Sequence, residues 1–186
     1  MTPEETIQDA DTRMKHAIDA MVHDFQTYRT GRANPMVLER VHVDYYGTET
    51  PINQVANVSV PEPRQLLIQP YDKSMIGPIE RAILKSDLGI NPNSDGAGIR
   101  LNFPQMNEER RKDMVKQVNA RGEHACVAIR NVRRDAIEHL KAAKEKKVIT
   151  EDDLKHMETR VQKLTDKHIA EVHELQKKKD AELMEV

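Results

Sequence analysis

Three arginines, Arg130, Arg133 and Arg134, stand at i, i+3 and i+4 in a stretch free of proline. On a helix this spacing brings all three to one surface. Like charges so placed repel one another unless an anion lies across them, and the planar guanidinium fork suits bidentate phosphate binding. The only acid among them is Asp135. The chemistry on offer is recognition of a polyanion by charge. Other reactive residues do not assemble. None of the eight histidines forms a His-x-x-x-His pair or stands beside Cys at ligand spacing, so no metal site is expected. His168 falls on an apolar seam and reads as a satisfied seam histidine. Cys126 borders another seam without an acid or base beside it, which makes it a small buried hydrophobe rather than a nucleophile. Asp95-Gly96-Ala97-Gly98 lacks the Lys-Ser/Thr of a phosphate loop and precedes a strand, so it reads as a turn. The carboxylate pairs Glu108/Glu109 and Asp152/Asp153 open helices, where capping explains them. Met14, Met21, Met114 and Met157 recur at helical spacing and read as core. No catalytic residue and no cofactor are assigned.

The element that must carry the arginines is Asn107 to Lys147, with no proline and one glycine, long enough for a helix of roughly 60 Å at ~1.5 Å per residue. Met114, Val118, Ala125, Ile129, Val132, Ala136, Leu140 and Ala143 form a narrow apolar seam within about 40° of one direction. Lys112, Lys116, Arg130, Arg134 and Lys141 lie about 120° to 160° away, with Arg133 on the flank at about 60°. The segment holds 12 basic and 7 acidic residues, a net +5, although the whole chain is formally −2. The near-neutral total conceals a positive rod.

Such a rod needs partners to bury its seam. Thr2-Pro3-Glu4-Glu5 is a helix start, followed by an apolar face from Ile7 through Tyr28 that ends near Arg29. Thr150-Glu151-Asp152-Asp153 starts a third helix with a seam of Leu154, Met157, Val161, Leu164, Val172 and Leu175. Between the first helix and the rod the texture changes: all but one of the prolines and five of the seven glycines lie from Pro35 to Pro104. Val41 to Tyr46, Val55 to Val60, Leu66 to Ile68 and Ile99 to Phe103 read as strands, Ser74 to about Ser86 as a short helix capped by Ser74, and Asp87 to Gly98 as turns. The first helix must return to pack with the last two, so the β-containing segment is an insertion. Its paired crossings, about Thr30 to Pro35 and Phe103 to Met106, permit hinge motion.

Composition agrees with a mainly helical chain: 32% of residues are charged, 3% are aromatic and Trp is absent. One cysteine suits a reducing compartment. No apolar run approaches the ~18 residues of a membrane span, and the acidic start MTPEE is unlike a signal peptide. A soluble, cytoplasmic protein without a membrane partner is expected.

Taken together, Arg29-Thr30-Gly31-Arg32-Ala33-Asn34-Pro35, Val43-Asp44-Tyr45-Tyr46-Gly47, Ser86-Asp87-Leu88-Gly89-Ile90-Asn91-Pro92, Glu108-Glu109-Arg110-Arg111-Lys112 and Arg130-Asn131-Val132-Arg133-Arg134-Asp135-Ala136 resemble the bacterial ribosome recycling factors, from about Arg13 to the C-terminus. Met106-Asn107 departs from the Leu-Thr expected there, with Asn keeping the capping role. The resemblance implies an α+β fold: a three-helix bundle of residues 1–30 and 105–186, with a small β/α/β domain of residues 31–104 inserted after the first helix. The two domains make an L similar in shape to transfer RNA, with an elbow at Thr30, Gly31, Pro104 and Gln105. It implies a monomeric, non-enzymatic factor that binds the post-termination 70S ribosome and, with elongation factor G and GTP hydrolysis by that partner, splits the subunits. The positions matching its contacts to large-subunit ribosomal RNA are Arg29, Arg32, Arg111, Arg130, Arg133 and Arg134, with Arg133 foremost. The basic helix face adds Lys112 and Lys116. A coiled-coil adaptor that binds only proteins would share the seams but need no anion-binding face.

Overall fold

The computed structural model describes residues 1–185. In chain order, helix α1 (Pro3–Thr27) is followed by a 3-10 helix (Pro35–Arg40), strands β1 (His42–Tyr45) and β2 (Thr48–Pro51), and a single helical turn, α2 (Ile52–Val55). Strands β3 (Ala56–Glu62) and β4 (Gln65–Pro70), helix α3 (Ile76–Lys85), and strands β5 (Asn93–Asp95) and β6 (Gly98–Asn102) come next. Two long helices, α4 (Glu108–Glu145) and α5 (Glu151–Met184), complete the chain.

The helix starts are chemically explicit. Thr2 Oγ1 accepts the Glu5 amide at 3.1 Å ahead of α1, and Asn107 Oδ1 accepts the Arg110 amide at 2.7 Å ahead of α4. Thr150 and Asp153 cap α5 reciprocally, each side chain accepting the other's amide at 3.1 Å. These bonds satisfy amides that have no partner inside the helix. The chain then leaves α4 through a Schellman turn, in which the Val148 amide reaches the Ala143 carbonyl and the Lys147 amide that of Lys144, both at 2.9 Å. Lys147 supplies the left-handed residue, at φ 60°.

The chain forms two compact units. One comprises Met1–His23 and Val115–Ala181; the other comprises Asp24–Met114 and the C-terminal stretch from Glu182. The divisions fall inside α1 and α4, several residues from the boundaries at 30/31 and 104/105 expected from the linkers. The physical reason is packing: Phe25, Thr27 and Arg29 are buried, as are Phe103, Met106 and Met114, and all six are residues of the second unit.

The first unit is a bundle of α1, α4 and α5. Most of the expected seam residues form its core, with Met14, Val118, Ile129, Leu140, Val161 and Val172 fully buried, whereas Ala143, Met157, Leu164 and Leu175 are half-buried. Polar contacts tie each helix pair, with Arg13 to Asp135 at 3.2 Å, Arg160 to Glu4 at 2.6 Å and Gln176 to Asn119 at 2.6 Å. Gly122 of α4 lies where a Cβ would meet the amide end of the flexible Gln176 side chain of α5, which would have to swing aside.

The second unit packs a two-stranded sheet, β1-β2, and a four-stranded antiparallel sheet in the order β3-β4-β6-β5. Its core includes Val37, Leu38, Val43, Ile52, Leu66, Ile68, Ile79, Ile83, Ile99, Leu101 and Phe103. Three details depart from the sequence reading. Strands β2 and β5 lie where turn or no structure was expected, because both are mostly exposed and carry no apolar alternation. The short helical segment is capped by Asp72, whose Oδ1 accepts the Ser74 amide at 3.0 Å and the Ser74 hydroxyl at 2.8 Å; Ser74 is the capped residue, not the cap. Its first turn is 3-10 before α3 proper.

Candidate nucleic-acid interface

Arg130, Arg133 and Arg134 lie on α4 in the first unit. Asp135, the acid standing among them in sequence, does not neutralise them: its carboxylate takes Arg13 of α1 at 3.2 Å. Arg130 is exposed and reaches Glu123 at 3.2 Å, two turns back along the same helix. Arg134 is exposed and, among the described residues, has no carboxylate within ion-pair distance. Arg133 is half-buried, and its Nε donates to Gln162 Oε1 of α5 at 2.7 Å. That partner is neutral, so the guanidinium keeps its full charge. Gln162 in turn donates through Nε2 to Asp166 Oδ1 at 2.8 Å. Lys116 and Lys141, also in this unit, are exposed. The face is cationic and open to solvent, and Glu123 pairs with Arg130 on it.

The other expected contacts belong to the second unit and are in different states. Arg32 is 81% exposed at its side chain and lies 4.0 Å from Glu185. Lys112 is exposed and pairs with Glu108 one turn back at 3.3 Å, a solvated pair of small energetic weight. Arg111 is partly buried, with its Nε unpartnered. Arg29 is interior rather than surface: it is 6% exposed, and its two terminal nitrogens donate to the Leu88 carbonyl at 2.8 Å and the Pro104 carbonyl at 3.2 Å. Arg110 donates to the neighbouring Asp87 carbonyl. Burial and the second guanidinium, Arg110, both lower the pKa of Arg29. Its Nε is buried without a partner among the described residues. Sequence could not show this, because the residues that enclose Arg29 are about 60 and 75 positions away along the chain.

The crossing residues are unevenly constrained, with the Pro104 carbonyl held by Arg29 at 3.2 Å. Thr30 Oγ1 accepts the Arg32 amide at 3.2 Å, and Gly31 has no heavy atom within 4 Å of where a Cβ would sit. Pro104 and Gln105 are exposed and outside any helix or strand.

Two further groups acquire partners invisible in sequence. His168 is fully buried, with its Nε2 2.7 Å from Asp11 Oδ1 of α1. That imidazole is the main influence holding the Asp11 carboxyl below its ordinary range, with Lys15 assisting. Cys126 sits 3.9 Å from Nε2 of His173, a neighbour from α5 that chain proximity did not offer. Burial raises the thiol pKa, so the pair lacks the thiolate that nucleophilic chemistry requires. Among the described residues, no group of three or more His, Cys, Asp or Glu side chains converges as a metal site, and no helix is long and apolar enough to cross a membrane.

Residues 21–184 match the family profile described as Ribosome recycling factor. The chain is 53% identical to the ribosome-recycling factor of Caldicellulosiruptor bescii over 182 residues, covering 98% of this chain and 99% of that one. It is 50% identical to the ribosome-recycling factor of Brevibacillus brevis, covering 99% and 100%. A solution structure of ribosome recycling factor is similar with a TM-score of 0.71 at 38% identity, covering 99% of this chain and 98% of that one. A second structure, TM-score 0.67 at 40% identity over the whole of both chains, comes from models for the T. thermophilus ribosome recycling factor and the E. coli elongation factor G bound to the E. coli post-termination complex.

Proposed function

The chain belongs to the ribosome recycling factor family, and from that premise we propose that it binds the post-termination ribosome mainly through large-subunit ribosomal RNA and, with elongation factor G, splits the subunits. Members of this family are translation factors that act on ribosomes in the cytoplasm, and they are not enzymes. The observation that carries the RNA reading is the diversion of Asp135 to Arg13, with no carboxylate among the described residues at ion-pair distance from Arg133 or Arg134 of α4.

Three guanidinium groups on one helical surface offer bidentate donors to successive phosphates, and their charge is permanent at any physiological pH. Phosphate contact carries no sequence information, so placement depends on the shape of the RNA. Lys116 extends the cationic line on the same helix, and Arg32, Arg111 and Lys112 supply further positive charge from the second unit. The factor works as a monomer. Elongation factor G, which hydrolyses GTP, pushes on the inserted domain; the rod α4 transmits the load to the RNA contacts, and the elbow at Thr30, Gly31, Pro104 and Gln105 sets the angle.

Arg133→Ala tests the anchor. Affinity for isolated large subunits falls roughly 10- to 150-fold, the equivalent of the roughly 1.5–3 kcal/mol of a hydrogen bond to a charged group after solvent competition. The slope of log K against log salt becomes shallower by roughly 0.7 to 0.9 for each phosphate that the variant no longer neutralises, while far-UV circular dichroism is unchanged. Binding equal to the parent protein at both low and high salt defeats the assignment.

A further inference from the structure

The three arginines share a helix face but not a condition. Arg134 has no carboxylate partner among the described residues, Arg130 is drawn to an acid, and Arg133 is tied to a neutral amide. The amide orientation is fixed by chemistry. The Asp166 carboxylate only accepts hydrogen bonds, so the NH2 of Gln162 faces it and the carbonyl oxygen faces Arg133. Gln162 and Asp166 are one turn apart on α5, a spacing at which such pairs form readily.

We propose that Gln162, oriented by Asp166, is a positioning residue for Arg133: it holds the guanidinium in a preset direction for a phosphate of ribosomal RNA without cancelling its charge. The inference rests on the reading of Arg133 as an RNA contact and adds a residue that the α4 sequence does not contain. An arginine carries about 2 kcal/mol of rotamer entropy, part of which is lost when it clamps a ligand. Fixing Nε beforehand leaves the four terminal N–H donors of the fork free and shifts the ordering cost from binding to folding. A carboxylate at position 162 would fix the direction as well, but it would neutralise the charge. Arg133 and Gln162 line a shallow pocket of about 350 Å³ between α4 and α5, to which Lys155 adds a second cation and Glu158 an acid.

The test measures binding of the full-length protein to isolated bacterial large ribosomal subunits over a range of salt, with circular dichroism confirming helicity. Gln162→Leu keeps the side chain's bulk and removes the acceptor. Its affinity falls roughly twofold to tenfold, the cost of one newly immobilised side chain, with an unchanged salt slope because the phosphate contact is still made. Placed in the Arg133→Ala background, Gln162→Leu costs nothing further. Gln162→Glu loses affinity together with salt slope, as Arg133→Ala does. An equal loss from Gln162→Leu with and without Arg133 overturns the positioning role, as does no loss from Gln162→Leu where Arg133→Ala weakens binding; in both cases the RNA reading survives. Full salt slope in Gln162→Glu overturns the charge-sparing part. If Arg133→Ala itself binds normally, the RNA assignment of Arg133 fails first and the role of Gln162 falls with it.

Discussion

At the scale of single residues, the same side-chain type meets different fates according to what tertiary packing brings to it. Arg29 and Arg133 are both arginines, yet one is enclosed by backbone carbonyls and the other is held at a surface by an amide. His168 shows how a polar group is accommodated in a helix seam: Asp11 answers it from α1. The pH consequence follows from the lowered pKa of Asp11. A carboxyl whose folded pKa lies below its unfolded one adds stability above the unfolded value, and that stability is lost as pH falls through the folded value. Asp11→Asn is therefore less stable than the parent protein at pH 6, and the gap in urea midpoint narrows below the ordinary Asp value of 3.8. A gap that stays constant down to pH 2 removes the Asp11–His168 pair from the stability account. Cys126 belongs at this scale too. Its burial and raised pKa make it slow toward iodoacetamide at neutral pH in the folded protein and fast after denaturation.

At the scale of elements, local chemistry fixed the ends of the helices and packing fixed the strands. Thr2, Asn107 and Thr150 were legible as caps because an N-cap acts on amides two or three residues away. Strands β2 and β5 were not, since each has too few apolar residues to show a period and exists only by pairing with β1 and β6. The β1-β2 turn did leave a trace, in Tyr46 and Gly47 at φ 50° and 82° with Asp44 Oδ1 accepting the Gly47 amide. Two successive left-handed residues are the signature of the type I′ turn that suits strand twist. The Schellman turn after α4 gives a prediction of opposite sign to most substitutions. Lys147 occupies a left-handed conformation that costs a side-chain-bearing residue about 1–2 kcal/mol, so Lys147→Gly raises unfolding stability by up to about 1 kcal/mol after the entropy of the freer chain is subtracted. An unchanged or lowered urea midpoint contradicts this account of the turn.

At the scale of the whole molecule, the chain divides into two compact units, and the residues proposed as an elbow, Thr30, Gly31, Pro104 and Gln105, all lie in the second of them. Gly31 has an ordinary φ and open space around it, so neither sterics nor a special backbone conformation requires glycine there. Gly31→Ala accordingly folds and binds as the parent protein does. Gly31→Pro, which freezes φ at the crossing, leaves binding to large subunits nearly intact and slows subunit splitting with elongation factor G; full turnover in that assay counts against a working elbow. The sequence by itself determined the helix periods, the caps, the three apolar seams, the inserted β-containing segment and the concentration of positive charge on α4, because each of these arises from residues within a few positions of one another. Only the tertiary structure decided which arginines remain available: Asp135 turns to Arg13, Gln162 reaches Arg133, and Leu88 and Pro104 close over Arg29. Each partner comes from another element tens of residues away, and a charge is neutralised, oriented or buried by whatever lies within a few ångströms in space, irrespective of its distance along the chain.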